Sequence, residues 1–284
     1  MLTGITLFRL VTAALLPVLV TVGFYQAEKK SRFGKVSNDW KQLIIGVSFG
    51  VVAILATEFG IPVDGAVLNV RNAAPLTAGL IFGWPSGLIA GLVGGIERWF
   101  SHAGDYTRLA CTIGTVVAGI FGAGVRKFMM DNRKASWFYG LAVGVTTEVL
   151  HMLLVFLTNA ADIQRAVTIV KICAIPMIAA NSISVMLSIL AITFLVKRSG
   201  QHEHDSSRKE NIAQTFQRWL LVCVVLAFVV TTFFTHAFQT KLAYAQVDYS
   251  LKASMEDVSR DIRDVSNRNL MNITREIAAV LPEN

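Results

Sequence analysis

The stretch Arg71-Asn-Ala-Ala-Pro-Leu-Thr-Ala-Gly79-Leu-Ile-Phe-Gly83-Trp-Pro-Ser-Gly87-Leu-Ile-Ala-Gly91-Leu-Val-Gly-Gly95-Ile-Glu-Arg98 decides the fold. Five glycines stand four residues apart, at 79, 83, 87, 91 and 95, in an almost wholly apolar run interrupted by Trp84-Pro85. A single crossing of a bilayer would put Arg71 and Arg98 on opposite faces. A break at Pro85 would return the chain and put them side by side, where they could bind an anion.

The rest of the chain says which. Of its 284 residues, 54% are hydrophobic and 16% charged. The apolar runs at 3–25, 42–61, 106–125, 137–158, 172–196 and 219–238 each approach or exceed the roughly 20 residues that span a bilayer core. This is the composition of an integral membrane protein. In the first run the lysines follow the apolar residues, and the run is too long for a signal-peptide core, so residues 1–26 read as a retained anchor helix. The net charge of +7 sits in short loops between apolar segments, the mark of membrane orientation and not of a nucleic-acid partner. Cys111, Cys173 and Cys223 lie in apolar segments without metal or redox spacing. His202, Glu203, His204 and Asp205 have no second cluster to complete a coordination shell, so neither a metal nor a cofactor is expected.

Loop charges set the topology. Residues 26–41 hold five Lys and Arg, 126–134 hold four and 197–218 hold five, whereas 60–73, 98–108 and 159–171 are poorer. If 73–98 crossed once, nine of those fourteen charges would fall outside. If it turns back, all fourteen lie inside, as the positive-inside rule requires. Pro85 lacks an amide hydrogen and pushes Trp84 out of the helical region, so Gly-Trp-Pro suits a hairpin tip. Each arm would have about 12 residues, roughly 18 Å of helix against a core of ~30 Å. The arms are then either short helices inside the bundle or a re-entrant loop, with the small residues allowing close backbone approach.

The chain therefore reads as all-α, a polytopic membrane bundle of seven to eight crossings including the Gly/Pro-broken hairpin at 73–98. Residues 42–196 form its core, 197–218 a basic cytoplasmic linker, 219–238 a final membrane helix, and 239–284 an extracytoplasmic amphipathic segment. In that segment Leu251, Met255, Val258, Ile262 and Val265 alternate four and three apart, an a/d seam over two heptads. It could pair with a second copy in a homodimer, or begin a Cache-type sensor domain.

The hairpin gathers Asn69, Arg71, Asn72, Glu97, Arg98, Tyr106, Arg108 and Cys111 at the outward side. Two guanidinium groups at the mouth of an apolar cavity suit a carboxylate or phosphate, because they donate bidentately and keep their charge. The rival reading is structural, with Arg71 or Arg98 paired to Asp64, Glu97 or Asp105, or snorkelling to the interface. Deeper in the membrane, Glu148 and His151 share a helix face and Asn181 lies mid-segment. Such groups face the bundle and either lock helices together or take part in function.

Asn69-Val-Arg71, the run from Ala78 to Arg98, and Ala110-Cys-Thr-Ile-Gly-Thr115 with Ala118-Gly119 resemble the LytS/YhcK-type five-transmembrane receptor domain over about residues 42–196. The resemblance implies a sensor in the bacterial inner membrane. Its output would be a fused histidine kinase, diguanylate cyclase or phosphatase domain, or a partner protein. The signal would be linked to cell-wall metabolism or, in one branch, small carboxylates such as pyruvate. In that branch two arginines matching Arg71 and Arg98 and a cysteine matching Cys111 bind the ligand. A serine three residues after the cysteine is replaced here by Gly114. Asn69, Asn72 and Arg108 complete the expected ligand set by position. The hairpin is also similar to the substrate-binding components of energy-coupling-factor transporters, a fold-level analogy whose functional counterpart is solute transport. The chain runs to Leu281-Pro-Glu-Asn284 without a P-loop, nucleophile elbow or kinase ATP-binding motif. It is expected to be no enzyme itself, and to be the sensory part of a longer protein or a truncated product.

Overall fold

A computed structural model describes residues 4–30, 32–101, 104–130, 136–198 and 212–280. The chain divides into two units, residues 1–225 and 226–284. The run at 202–205 lies outside the described residues.

The first unit is a ring of six helices around a short central arm. The ring is formed by α1 (Gly4–Lys30), α2 (Asn38–Glu58), α4 (Trp84–Phe100), α5 (Arg108–Gly124, continued by a π turn Val125–Met129), α6 (Trp137–Thr158) and α7 (Ile163–Arg198). Neighbours pack in the order α1, α2, α4, α5, α6, α7 and back to α1. The arm is α3 (Ala73–Thr77) with a π turn at Ala78–Phe82, and it touches α1, α2, α4, α5 and α7. Among the described residues five helices are long and apolar enough to cross a membrane. Helix α1, expected as a separate anchor, closes the ring, with Ser184 Oγ of α7 donating to Ala14 O at 2.6 Å.

The residues follow a membrane pattern. Leu43, Val47, Val51 and Leu55 form an exposed stripe on α2, while Phe49, Ala53 and Ala56 of the same helix are fully buried. Large apolar side chains thus face lipid, and small ones fill the interior.

The hairpin predicted from Gly83-Trp-Pro is present, with unequal arms of ten and seventeen residues. Gly83 turns the chain at φ 109°, a conformation that favours glycine, and Pro85 occupies the first turn of α4, where its missing N–H costs no helical bond. The ten-residue arm need not reach across the bilayer, because protein surrounds it and ring side chains satisfy both its ends. At its start Asn181 Oδ1 accepts from Ala73 N at 2.9 Å. At its end Arg126 donates to Leu80 O at 3.3 Å and to Ile81 O, and Gln42 Nε2 donates to Phe82 O at 3.1 Å. Backbones meet where Gly79, Gly87 and Gly119 cross: a Cβ on Gly87 would stand 2.6 Å from Gly119 O and from Gly79 Cα.

Two local expectations are corrected. The segment 159–171, expected as a loop, is mostly helix, since α7 begins at Ile163. Its Arg165 bonds Asp64 O at 3.2 Å and stacks on Tyr106 at 4.7 Å, which requires a fixed backbone. The second is a two-stranded ribbon within an otherwise helical chain, β1 (Ile61–Val63) paired antiparallel with β2 (Ala66–Leu68). Its turn residues Asp64 and Gly65 have φ of 43° and 80°, and this Asp-Gly pair between apolar runs is a hairpin signal readable in the sequence.

Helix α8 spans Ile212–Val280, so the segments 219–238 and 239–280 belong to one element. Leu251, Met255, Val258, Ile262 and Val265 are all exposed along it.

Candidate anion site

The ribbon delivers the chain into the ring at Asn69. Asn69 Oδ1 accepts from Arg71 N at 3.2 Å and its Nδ2 donates to Val67 O at 3.2 Å, so the side chain shapes the turn that aims Arg71 inward. Arg98 arrives from the far end of α4. Because the hairpin returns, both arginines lie at the end opposite Gly83 and Arg126.

Both are fully buried instead of standing at the mouth of a cavity. Arg71 Nε donates to Thr115 Oγ1 at 2.7 Å and Nη2 to Cys111 O at 3.2 Å, while Nη1 has no partner. Arg98 Nη2 donates to Gly104 O at 2.6 Å and Nη1 to Ser101 O at 3.4 Å, while Nε has no partner. Asp64 and Asp105, the predicted structural partners, pair with Arg165 at 3.6 Å and Arg108 at 3.7 Å. Among the described residues no carboxylate forms an ion pair with Arg71 or Arg98. Glu97 lies near both, with one buried oxygen unpaired.

Asn72 joins this cluster to the deep polar pair. Its Nδ2 contacts Glu148 Oε1 at 2.9 Å and His151 Nδ1 at 3.1 Å, and its Oδ1 accepts from Thr115 at 3.2 Å. Glu148 Oε2 lies 3.3 Å from His151 Nδ1. Asn181 fixes the same segment from α7, donating to Asn69 O at 3.2 Å. The Cys111 thiol, 4% exposed, faces His151, Arg71 and Arg98.

Arg71, Arg98 and Cys111 thus come together. Asn69 and Asn72 lie beside them with side chains engaged in positioning. Arg108 is not brought in: it is partly exposed, ion-paired to Asp105, and stacked on Trp99 at 5.5 Å. Tyr106 is tied elsewhere, its hydroxyl donating to Asp162 O at 2.7 Å. Two participants escaped the sequence reading. Thr115 stood in the quoted motif with no charge to draw notice, and the link from His151 to Arg71 passes through Asn72 of another segment.

Buried donors without partners cost about 1–3 kcal/mol each, more when charged. Arg71 Nη1 and Arg98 Nε are two such donors beside the Cys111 thiol, and His151 Nε2 is a third buried nitrogen there without a partner. The arrangement can take a small ligand rich in oxygen acceptors.

The relatives carry the same segment. The chain is 28% identical to the sensor histidine kinase YpdA of Escherichia coli (strain K12) over 171 residues, 60% of this chain and 29% of that protein. It is 31% identical to the sensor histidine kinase BtsS of the same strain over 144 residues, 50% of this chain and 25% of that one. It is 28% identical to the sensor protein LytS of Staphylococcus saprophyticus over 196 residues, 62% and 32% respectively. The chain thus spans about a third or less of these relatives' length. No solved structure matches. The family model described as "5TMR of 5TMR-LYT" matches residues 30–194, from the approach to α2 to the end of α7, enclosing the central arm and both arginines. On that match, over more than half its length, this chain belongs to the 5TM-5TMR_LYT family.

Proposed function

We propose that this chain is the membrane receptor module of a bacterial signal-transduction protein. In this reading it takes a small anionic ligand, a carboxylate or a cell-wall-related anion, between Arg71 and Arg98 and signals to an output domain or partner protein. The observation that carries the reading is the unpaired donor on each buried arginine, Nη1 of Arg71 and Nε of Arg98, with no carboxylate ion-paired to either among the described residues. The relatives named as sensor proteins support the receptor role. Loop charges put the site on the extracytoplasmic side, and Arg126, from a loop predicted to be cytoplasmic, sits at the opposite hairpin tip. By the same charge count α8 leads outward from the basic linker. Its exposed seam suits a second copy of the chain, which the molecular mass of the full chain in detergent tests.

Binding to purified protein decides the site. Calorimetric titration with a panel of small carboxylates and cell-wall fragments is expected to show affinity in the wild type and a loss of at least about tenfold in Arg71→Ala and in Arg98→Ala. Unchanged affinity in both variants would remove the arginine clamp. Uptake of a labelled carboxylate into vesicles holding this chain, alone or with a partner ATPase, would favour a transport component instead.

A further inference from the structure

His151 Nδ1 lies 3.3 Å from Glu148 Oε2. A carboxylate oxygen only accepts, so the neutral ring holds its hydrogen on Nδ1 and carries a lone pair on Nε2. Asn72 Nδ2, 3.1 Å from the same ring nitrogen, gives its hydrogen to Glu148 Oε1 at 2.9 Å and fixes the carboxylate. Nε2 has no partner, and the Cys111 thiol lies beside the ring. Next to Nε2 in the ring is Cδ2, which rests on Gly114, where a Cβ would stand 3.0 Å away. Gly114 follows Cys111 by three residues on α5, so the free nitrogen and the thiol meet on one face of that helix. Cys111, His151 and Glu148 thus stand in the order nucleophile, base and orienting carboxylate, the arrangement that activates a thiol. Burial alone does not do this. Cys173 is as enclosed, 2% exposed in the hydrophobic core, and a thiol in apolar surroundings is inert.

We propose that Cys111 is a modification site, oxidised by hydrogen peroxide to a sulfenate that Arg71 and Arg98 hold. Cys111 gives its proton to His151 Nε2, and the thiolate sulfur attacks one peroxide oxygen. An S–O bond forms as the O–O bond breaks, and the leaving hydroxide takes the proton back from Nε2 to depart as water. The sulfur loses two electrons, and the peroxide gains them. The sulfenic acid then passes its own proton to Nε2, leaving an imidazolium paired with Glu148 and a sulfenate oxygen for the free donors, Arg71 Nη1 and Arg98 Nε. An oxidant of two heavy atoms suits a site whose side chains are at most 4% exposed. The step requires no anionic ligand and so goes beyond the receptor reading, although the sulfenate takes the same donors. Glu148 is a positioning residue that sets the tautomer of the ring.

The test exposes the full chain in lipid nanodiscs to hydrogen peroxide, stops the reaction with catalase, and unfolds the protein in dimedone and N-ethylmaleimide. Peptide mass spectrometry then follows each cysteine separately. Cys111 is expected to gain the dimedone adduct about tenfold or more faster than Cys173 of the same chain. Oxidation of Cys111 no faster than that of Cys173 would overturn the proposal, and this comparison needs no variant to fold. His151→Phe should slow oxidation of Cys111 about tenfold or more and leave Cys173 unchanged; an unchanged rate at Cys111 would overturn the assignment of the base. Arg71→Ala should shorten the lifetime of the sulfenate when dimedone is added at increasing delays after catalase, and an equal lifetime would overturn its capture by the arginines. Glu148→Gln should slow the reaction and move the unprotonated Nε2 signal in nitrogen NMR of the histidine-labelled chain, the signal that His151→Phe deletes. A signal that stays in place would overturn the tautomer. Carboxylate titration of the unoxidised chain is read independently, so failure here leaves the arginine clamp standing, and failure there leaves the thiol chemistry standing.

Discussion

Asn181 shows how one amide can hold a site that it does not touch. It caps the first N–H of the central arm at Ala73, accepts no other bond there, and donates to the carbonyls of Asn69 and Met177, the latter at 3.0 Å. Asn181→Leu would leave the Ala73 N–H and the Asn69 carbonyl buried and unpaired, a cost of about 1–3 kcal/mol for each group. The expected outcome is a lower unfolding temperature in detergent together with weakened anion binding, because Asn69 sets the turn that aims Arg71. Thermal denaturation monitored by circular dichroism checks the first, and titration checks the second. The sequence placed Asn181 mid-membrane and bundle-facing; which carbonyl it would meet depended on α7 lying beside the entry to α3, a neighbour 112 residues away.

At the scale of elements, the glycine ladder divides by task. Gly83 is the turn, whereas Gly79 and Gly87 let the two arms approach each other and α5 so closely that backbone atoms fill the space a side chain would take. Gly87→Val must separate α4 from the central arm and from Gly119, since the obstructing atoms are backbone and cannot swing away. Overpacking of this kind costs about 1–3 kcal/mol, or more where nothing can yield. The expected result is a loss of thermal stability and of anion affinity together, since the arms carry the two arginines. Retention of both in Gly87→Val, measured by the same melts and titrations, would show that the crossing is looser than the backbone distances imply. The ladder and the break were legible in the sequence. The inequality of the arms was not, because α4 stops only where Ser101 turns away, while the first arm stops where Arg126 and Gln42 cap its carbonyls.

Across the whole molecule, the proposed topology puts the two ends of the hairpin on opposite sides of the membrane. The ribbon turn at Asp64 is exposed at the arginine end, and Phe128 is exposed beside Arg126 at the tip end. Single cysteines placed at Asp64 and at Phe128 are expected to react with a membrane-impermeant maleimide from opposite faces, the first from outside intact cells and the second only after permeabilisation. Labelling of both from one face would remove the hairpin topology. The prediction belongs to this scale because the positive-inside rule counts charges over loops and says nothing of any one residue.

The sequence by itself determined that the chain is a helical membrane protein, that 73–98 turns back at Gly83-Trp-Pro, and that Arg71 and Arg98 share one end. Those conclusions rest on local quantities: apolar run length, the missing amide of a proline, and loop charge. Tertiary structure alone decided that the arginines are enclosed, that Arg108 is turned to Asp105 and Trp99, and that Glu148 and His151 reach the same cluster through Asn72. Burial and hydrogen-bond partners depend on which helices become neighbours. Here the ring closes around a ten-residue arm whose polar ends must all be satisfied inside the protein.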